Sequence, residues 1–209
     1  MGNKALLIGA LMLALLPLSS GARAQDATWF ITEIQAGYAI GSAFPETPTG
    51  LETRLTGGFG GKFVNFPTRF YGVVNLTYMG LGGSGAAIDD TEIDRSWISW
   101  SFGLRTLTPI APRLRLLLEL DLGRASVSST ANVRRGREIY RNEDDSFLIE
   151  LGAGLQYRFN LYFSLGARVD ASIPTSFEAY DPISEIAGVP SERAGTVSPS
   201  FLISATLHL

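Results

Sequence analysis

Few residues in this chain are equipped for chemistry. Among 209 residues there is one histidine, His208, and no cysteine. Disulfides, thiolate metal sites, cysteine nucleophiles and a lipid-modified cysteine are therefore excluded. A hydrolase using His208 as general base would need a nucleophile and an acid beside it. On its own segment His208 shares a face only with Ser204 and Thr206, so it reads as a polar filling residue. Glu119 and Asp121 stand two apart, a spacing that projects both from one face of a strand. Arg105 and Arg115 fall on the same pair of segments, which makes an ion network the simpler reading than an acid–base pair. No acidic spacing matches a calcium loop such as the EF-hand. Gly82-Gly83-Ser84-Gly85 is not followed by the Lys-Ser/Thr of a phosphate-binding loop. No cofactor and no metal site are expected.

The segments that carry these residues alternate apolar and polar, the period of a strand. Glu33, Gln35 and Gly37 oppose Phe30, Ile34, Ala36, Tyr38 and Ile40. Glu52, Arg54, Thr56 and Lys62 oppose Leu55, Phe59 and Phe63. Asn75 and Thr77 oppose Phe70, Val74, Leu76 and Tyr78, and Ser99, Ser101 and Arg105 oppose Ile98, Trp100, Phe102 and Leu104. Arg115, Glu119 and Asp121 oppose a leucine ladder, Leu114, Leu116, Leu118, Leu120 and Leu122. Glu150, Gln156 and Arg158 oppose Phe147, Ile149, Leu151, Ala153, Leu155, Tyr157 and Phe159. Ser164, Arg168 and Asp170 oppose Leu161, Phe163, Leu165, Val169 and Ile173, and Ser200, Ser204, Thr206 and His208 oppose Phe201, Ile203, Ala205, Leu207 and Leu209.

No charge falls on the apolar faces. The opposite faces hold Arg54, Lys62, Arg105, Arg115, Arg158 and Arg168 with Glu33, Glu52, Glu119, Asp121, Glu150 and Asp170. A charge in hydrocarbon is costly, so this separation fits a barrel with lipid outside and paired ions inside. The inward set has few apolar members (Val73, Met79, Leu117, Leu148), which disfavours a channel for an apolar ligand. Inward glycines such as Gly103 and Gly152 would leave small gaps or permit strand coiling.

Connections alternate in length. Gly41–Gly50, Gly82–Ile93, Ser128–Ser146 and Pro174–Gly195 read as long. Val64–Thr68, Leu107–Pro112 and the turn at Asn160 read as short. A barrel with short turns on its periplasmic side and longer loops outside has this order. Aromatic residues concentrate near the two expected rims, where amphipathic rings prefer to lie.

Residues 1–24 read as a cleaved signal peptide, leaving 25–209 as the barrel domain. Lys4 precedes an apolar run from Ala5 to Leu16, Pro17 breaks it, and Ala22-Arg23-Ala24 is a small-x-small cleavage site. That run is too short to cross about 30 Å of hydrocarbon as a helix. The formal net charge of −3 gives no reason to expect nucleic acid as a partner.

With a signal segment, eight alternating strands and unequal loops, the chain resembles the small outer-membrane β-barrels, such as the OmpA transmembrane domain and OmpX. The resemblance spans nearly all of 25–209 and is one of architecture, not of a residue motif. It implies an all-β, eight-stranded, antiparallel, up-and-down transmembrane barrel in a bacterial outer membrane, most simply a monomer. It also implies contact with outer-membrane lipid and lipopolysaccharide, and with the outer-membrane assembly machinery. Such barrels commonly end in an aromatic residue, where this chain has Leu209. No peptidoglycan-binding segment is expected after the barrel, so no cell-wall anchor is implied.

Because fold hosts many activities, function is read from what the residues offer. A non-enzymatic structural or cell-surface interaction role comes first. A narrow porin-like channel is the alternative, and a lipid-modifying enzyme follows. The acidic stretches Asp89, Asp90, Glu92, Asp94 and Glu143, Asp144, Asp145 read as solvated loop surface able to hold divalent cations that bridge lipopolysaccharide phosphates, and the basic stretch Arg134, Arg135, Arg137, Arg141 as loop surface able to contact lipid phosphates directly.

Overall fold

The computed structural model describes residues 29–40, 44, 49–63, 65–83, 92–133, 138–175, 177, 182–186 and 197–209. The signal segment expected at 1–24 lies outside them, as do Asp89, Asp90, Arg134, Arg135 and Arg137. Eight strands form one sheet: β1 (Phe30–Ile40), β2 (Thr49–Lys62), β3 (Arg69–Gly83), β4 (Glu92–Pro109), β5 (Leu114–Val133), β6 (Glu138–Arg158), β7 (Phe163–Pro174) and β8 (Ser198–His208). A five-residue helix, α1 (Pro182–Ile186), lies between β7 and β8. Each strand pairs antiparallel with the next, and β8 returns to pair with β1, so the sheet closes as an up-and-down barrel with no interrupted order.

Register preserves the alternation around the wall. Arg105, Glu119, Gly152, Asp170 and Ser200 are successive cross-strand partners on β4 to β8. One residue along, Leu104, Leu120 and Leu151 are partners on the opposite face. Which face looks inward is decided by exposure. Leu51 and Ile203 are each 70 % exposed, whereas Glu33 and Arg105 are 0 % exposed. Charged residues are almost never so fully buried unless paired. The wall is therefore inside-out relative to a water-soluble barrel, with an apolar outer surface and an ionic interior.

The apolar outer band has an edge. On β5 the outward leucines run to Leu122, and the next outward residue is the exposed Arg124. Arg124 pairs with Trp100 on one side and Phe147 on the other, an arrangement suited to a hydrocarbon–water boundary. Beyond it the outward residues include Asp94 and Asp145, both exposed. At the opposite edge aromatic rings pack tilted or edge-on in a girdle. Phe30 and Phe59 lie 5.0 Å apart, Phe63 and Phe70 5.6 Å, and Tyr157 and Phe159 5.0 Å.

The short connections are where the alternation placed them. Asn65 takes a left-handed φ of 76° in the β2–β3 turn, a conformation Asn tolerates better than most residues. The β6–β7 turn is held by Asn160, whose Oδ1 accepts from the amides of Tyr162 and Phe163 at 2.8 and 2.9 Å. The expectation of a long loop over Ser128–Ser146 is corrected. β5 and β6 remain paired through it, from Ser128 with Glu143 to Val133 with Glu138. These strands have 20 and 21 residues, against about 9–11 needed to cross a bilayer. The alternation continues in Ala125, Val127, Ser129 and Ala131, all buried. Their small, polar-mixed character made the segment look like a loop. Together with the start of β4 they build a sheet that stands beyond the apolar band, and Ile183 of α1 packs on its inner face against Ile93 and Ala131.

Placing a charge on the outer band tests this orientation. Leu118, exposed at mid-strand, is expected to destabilise the barrel by roughly 2–4 kcal/mol when changed to Arg. Urea titration of the variant in lipid vesicles would measure it, and an unshifted midpoint would mean that Leu118 does not face lipid.

Candidate functional site

The inward face is layered. At mid-height, β1, β2, β4, β5, β6 and β7 bring their charged residues to one belt. Arg54 sits among three carboxylates: Nη2 lies 2.7 Å from Glu150 Oε1 and 3.3 Å from Glu52 Oε1, and Nη1 lies 3.3 Å from Asp170 Oδ2. Arg105 Nη1 lies 3.1 Å from Glu33 Oε1, and its Nε donates to Glu119. Arg168 joins the two groups, with Nη1 3.1 Å from Glu119 Oε2 and Nη2 2.6 Å from Asp170 Oδ1.

Neutral side chains complete the belt. Asn75 Nδ2 donates to Glu119 Oε1 at 3.1 Å and to Asp121 Oδ2 at 3.0 Å, and its Oδ1 accepts from Thr56 at 2.6 Å. Ser101 donates to Glu150 Oε2 at 2.7 Å, Ser172 to Glu150 Oε1 at 3.2 Å, and Thr206 to Glu33. Gln35 Nε2 bridges Glu33 Oε1 and Thr56 Oγ1 at 2.6 and 3.1 Å. Two glycines make room for these contacts. A Cβ on Gly103 would collide with Asp121 Oδ1, and one on Gly152 with Arg168 Nη2. The gaps that glycine opens at these two positions are filled by the network.

Of the twelve charged residues singled out in the sequence, nine belong to this belt: Glu33, Glu52, Arg54, Arg105, Glu119, Asp121, Glu150, Arg168 and Asp170. Lys62, Arg115 and Arg158 do not. They lie at the short-turn mouth, Lys62 exposed and the other two half-buried. The sequence reading missed Arg69 and Arg95, both buried and inward. Parity could have found them, since Arg69 is in phase with Asn75, and Arg95 with Ser99 and Ser101.

The expectation of a sparsely apolar interior is corrected. Between the belt and the short-turn mouth lies a layer of Ile31, Tyr71, Val73, Leu107 and Leu117. On the far side Ala39, Met79, Leu81, Trp97, Ala125, Val127 and Leu148 cluster with Phe44. Phe177 closes over them, 5.4 Å from Trp97 at 90° and 6.3 Å from Phe44. Arg95 lies over the Phe44 ring at 4.8 Å, a cation–π contact. Phe44 and Phe177 come from the β1–β2 and β7–β8 connections, so each connection places one ring in the mouth.

His208 has a partner that its own strand did not reveal. Its Nε2 lies 2.8 Å from Ser164 Oγ on β7, and Nδ1 has no hydrogen-bond partner among the described residues. A general-base histidine is ordinarily oriented by a group on its second nitrogen. Both residues are buried, Ser164 at 0 % and His208 at 1 % exposed. Among the described residues no group of three or more His, Asp or Glu side chains is placed to hold a metal ion.

Closed barrel, outward apolar band and buried ionic belt define the chain as having the fold of small bacterial outer-membrane β-barrels. Neisserial surface protein A superposes with a TM-score of 0.52 at 11 % identity, covering 88 % of this chain and 99 % of that one. A major outer membrane protein of Thermus thermophilus superposes at 0.56 with 10 % identity, covering 86 % and 98 %. Ail, the attachment invasion locus protein of Yersinia pestis, gives 0.46 at 13 % identity, covering 86 % and 97 %. No family model and no curated protein sequence matches the chain.

Arg54 is the most heavily paired cation of the belt, and its side chain is 0 % exposed. Arg54→Met would leave Glu52, Glu150 and Asp170 short of their shared partner. Breaking buried pairs in this way costs about 3–5 kcal/mol. The loss should appear as a lowered urea midpoint in vesicles, with Arg54→Lys recovering only part of it, because an ammonium cannot fork between carboxylates.

Proposed function

We propose that this protein is a non-enzymatic outer-membrane barrel with a structural or cell-surface interaction role, closed to free diffusion. The observation that carries the reading is the filled interior. A belt of nine interlocked charges lies beneath an aromatic plug in which Phe44 is 0 % exposed. Eight strands leave a lumen just wide enough for side chains, and here side chains occupy it at two levels. The short turns belong in the periplasm, and the extended β4–β5–β6 sheet stands outside the cell.

Outer-membrane lipid surrounds the apolar band. Lipopolysaccharide phosphates meet the outward Arg124 and Arg141 of β5 and β6. The protein works as a monomer and reaches the membrane through a cleaved signal at residues 1–24 and the outer-membrane assembly machinery. The extended sheet supports the surface role. It carries exposed Glu92, Asp94, Glu138, Arg141, Glu143 and Asp145 well past the hydrocarbon edge, on paired strands that hold their positions.

Two measurements test this. In planar bilayers the purified protein is expected to give no discrete conductance steps; reproducible steps would replace the closed barrel with a channel. Lipid A from cells with and without the protein should have the same mass spectrum, and a difference of one acyl chain would make it an enzyme.

A further inference from the structure

Above the hydrocarbon edge the outer wall is indented. A groove of about 390 Å³ crosses β3, β4 and β5, and its outward lining residues are Tyr78, Gly80, Asp94, Ser96, Ser128 and Thr130. Register sets them side by side. Gly80, Ser96 and Ser128 are successive cross-strand partners, and Asp94 pairs with Thr130 in the next outward row. Ser96, Ser128 and Thr130 are half-buried, and Tyr78 is 50 % exposed.

Gly80 keeps the floor of the groove open. Gly103 and Gly152 are glycine because the belt needs the room. A Cβ on Gly80 would meet only Tyr78, 3.7 Å from Oη and 3.8 Å from Cε1, which are ordinary contact distances. Packing therefore does not require glycine here. A glycine inside a strand weakens it, and such positions often mark close approach by a ligand.

The lining has a definite chemistry. Three hydroxyls can each donate and accept, and the Asp94 carboxylate can accept from two neighbouring hydroxyls. Tyr78 adds an apolar ring with a polar tip. The outward lining holds no large aliphatic side chain, so it lacks the anchor pocket that a protein partner would use. A pyranose ring is the complement, with vicinal hydroxyls around an apolar C–H face. The volume is at the small end of small-molecule sites.

Height selects the source of such a ring. Trp100 and Arg124 are partners in the row that marks the hydrocarbon edge. Ser128 lies four residues further along β5, about 13 Å of strand and about 10 Å of height at the tilt of a transmembrane barrel. The headgroup zone extends about 5–8 Å past the hydrocarbon. The groove therefore opens where the sugars of outer-leaflet lipids would begin.

We propose that this groove seats a saccharide ring of a glycolipid in the surrounding leaflet. The glycolipid as occupant rests on the membrane placement proposed above, whereas the affinity for a sugar rests on the groove alone.

Saturation-transfer NMR on the refolded full chain tests this in lauryldimethylamine oxide micelles, a detergent without a sugar. The probes are dephosphorylated core oligosaccharide, released from lipopolysaccharide by mild acid, and maltotriose. The oligosaccharide is expected to receive saturation at its ring protons and to titrate to a plateau. Gly80→Val fills the floor with a residue that strands favour, and S96A/S128A removes two hydroxyls. Each is expected to weaken binding about tenfold. Thr49→Ala, an outward hydroxyl of β2 away from the groove, should leave it unchanged. Heat-dependent gel mobility checks that each variant is folded. No transfer to the oligosaccharide, or wild-type affinity in both groove variants, would overturn the proposal. Transfer to maltotriose alone would make the ligand a soluble saccharide and overturn the glycolipid. Conductance steps in the bilayer experiment would overturn the closed barrel and leave the groove standing, so the two failures are distinguishable.

Discussion

Everything in this fold depends on guanidinium–carboxylate pairing inside a cylinder filled by side chains. An apolar outer wall needs no explanation in a membrane, but it obliges the other half of every strand to go somewhere. In a barrel of eight strands that half faces a space too narrow for bulk water. Ions placed there must find each other or not be charged. Arg54, Arg105 and Arg168 each touch two or more carboxylates, and Arg168 links the Arg54 group to the Arg105 group through Asp170 and Glu119. The neutral residues Asn75, Ser101 and Thr206 take up carboxylate oxygens that the arginines do not reach, and Thr56 holds the Asn75 amide in place. Removing any one arginine therefore affects several strands at once.

Much of this was legible in the sequence because parity on a strand is binary. Once Glu119 and Asp121 are set opposite the leucine ladder, every other residue of β5 is assigned, and the same holds for each strand. The pairing of Arg105 with Glu119 follows from a short β4–β5 turn. What parity cannot give is height and cross-barrel distance. Lys62, Arg115 and Arg158 have the inward phase of the belt residues, but they lie near strand ends and so line the mouth. Ser164 reaches His208 because β7 and β8 are neighbours, a contact invisible to spacing along one strand.

The misread segment was Ser128–Ser146. Its serines, threonine and acids match the composition of a loop, and composition prevailed over the alternation that persists there. Trp97 is a further inward residue of β4. It lies two residues from Ser99 on the inward phase, as parity alone requires. Here it is buried in the plug, packed edge-on against a loop phenylalanine.

The belt also fixes an order of events. Arg54 meets Glu150 across 96 residues of chain, and Thr206 meets Glu33 across 173. None of these partners is brought together by a single hairpin. Until the first and last strands join, Arg54 lacks Glu150, Glu33 lacks Thr206, and the polar half of the sheet is not enclosed, so an open sheet cannot lie flat in hydrocarbon. Closing the seam between β1 and β8 is therefore what removes these polar groups from water, and until then they need hydration or shelter.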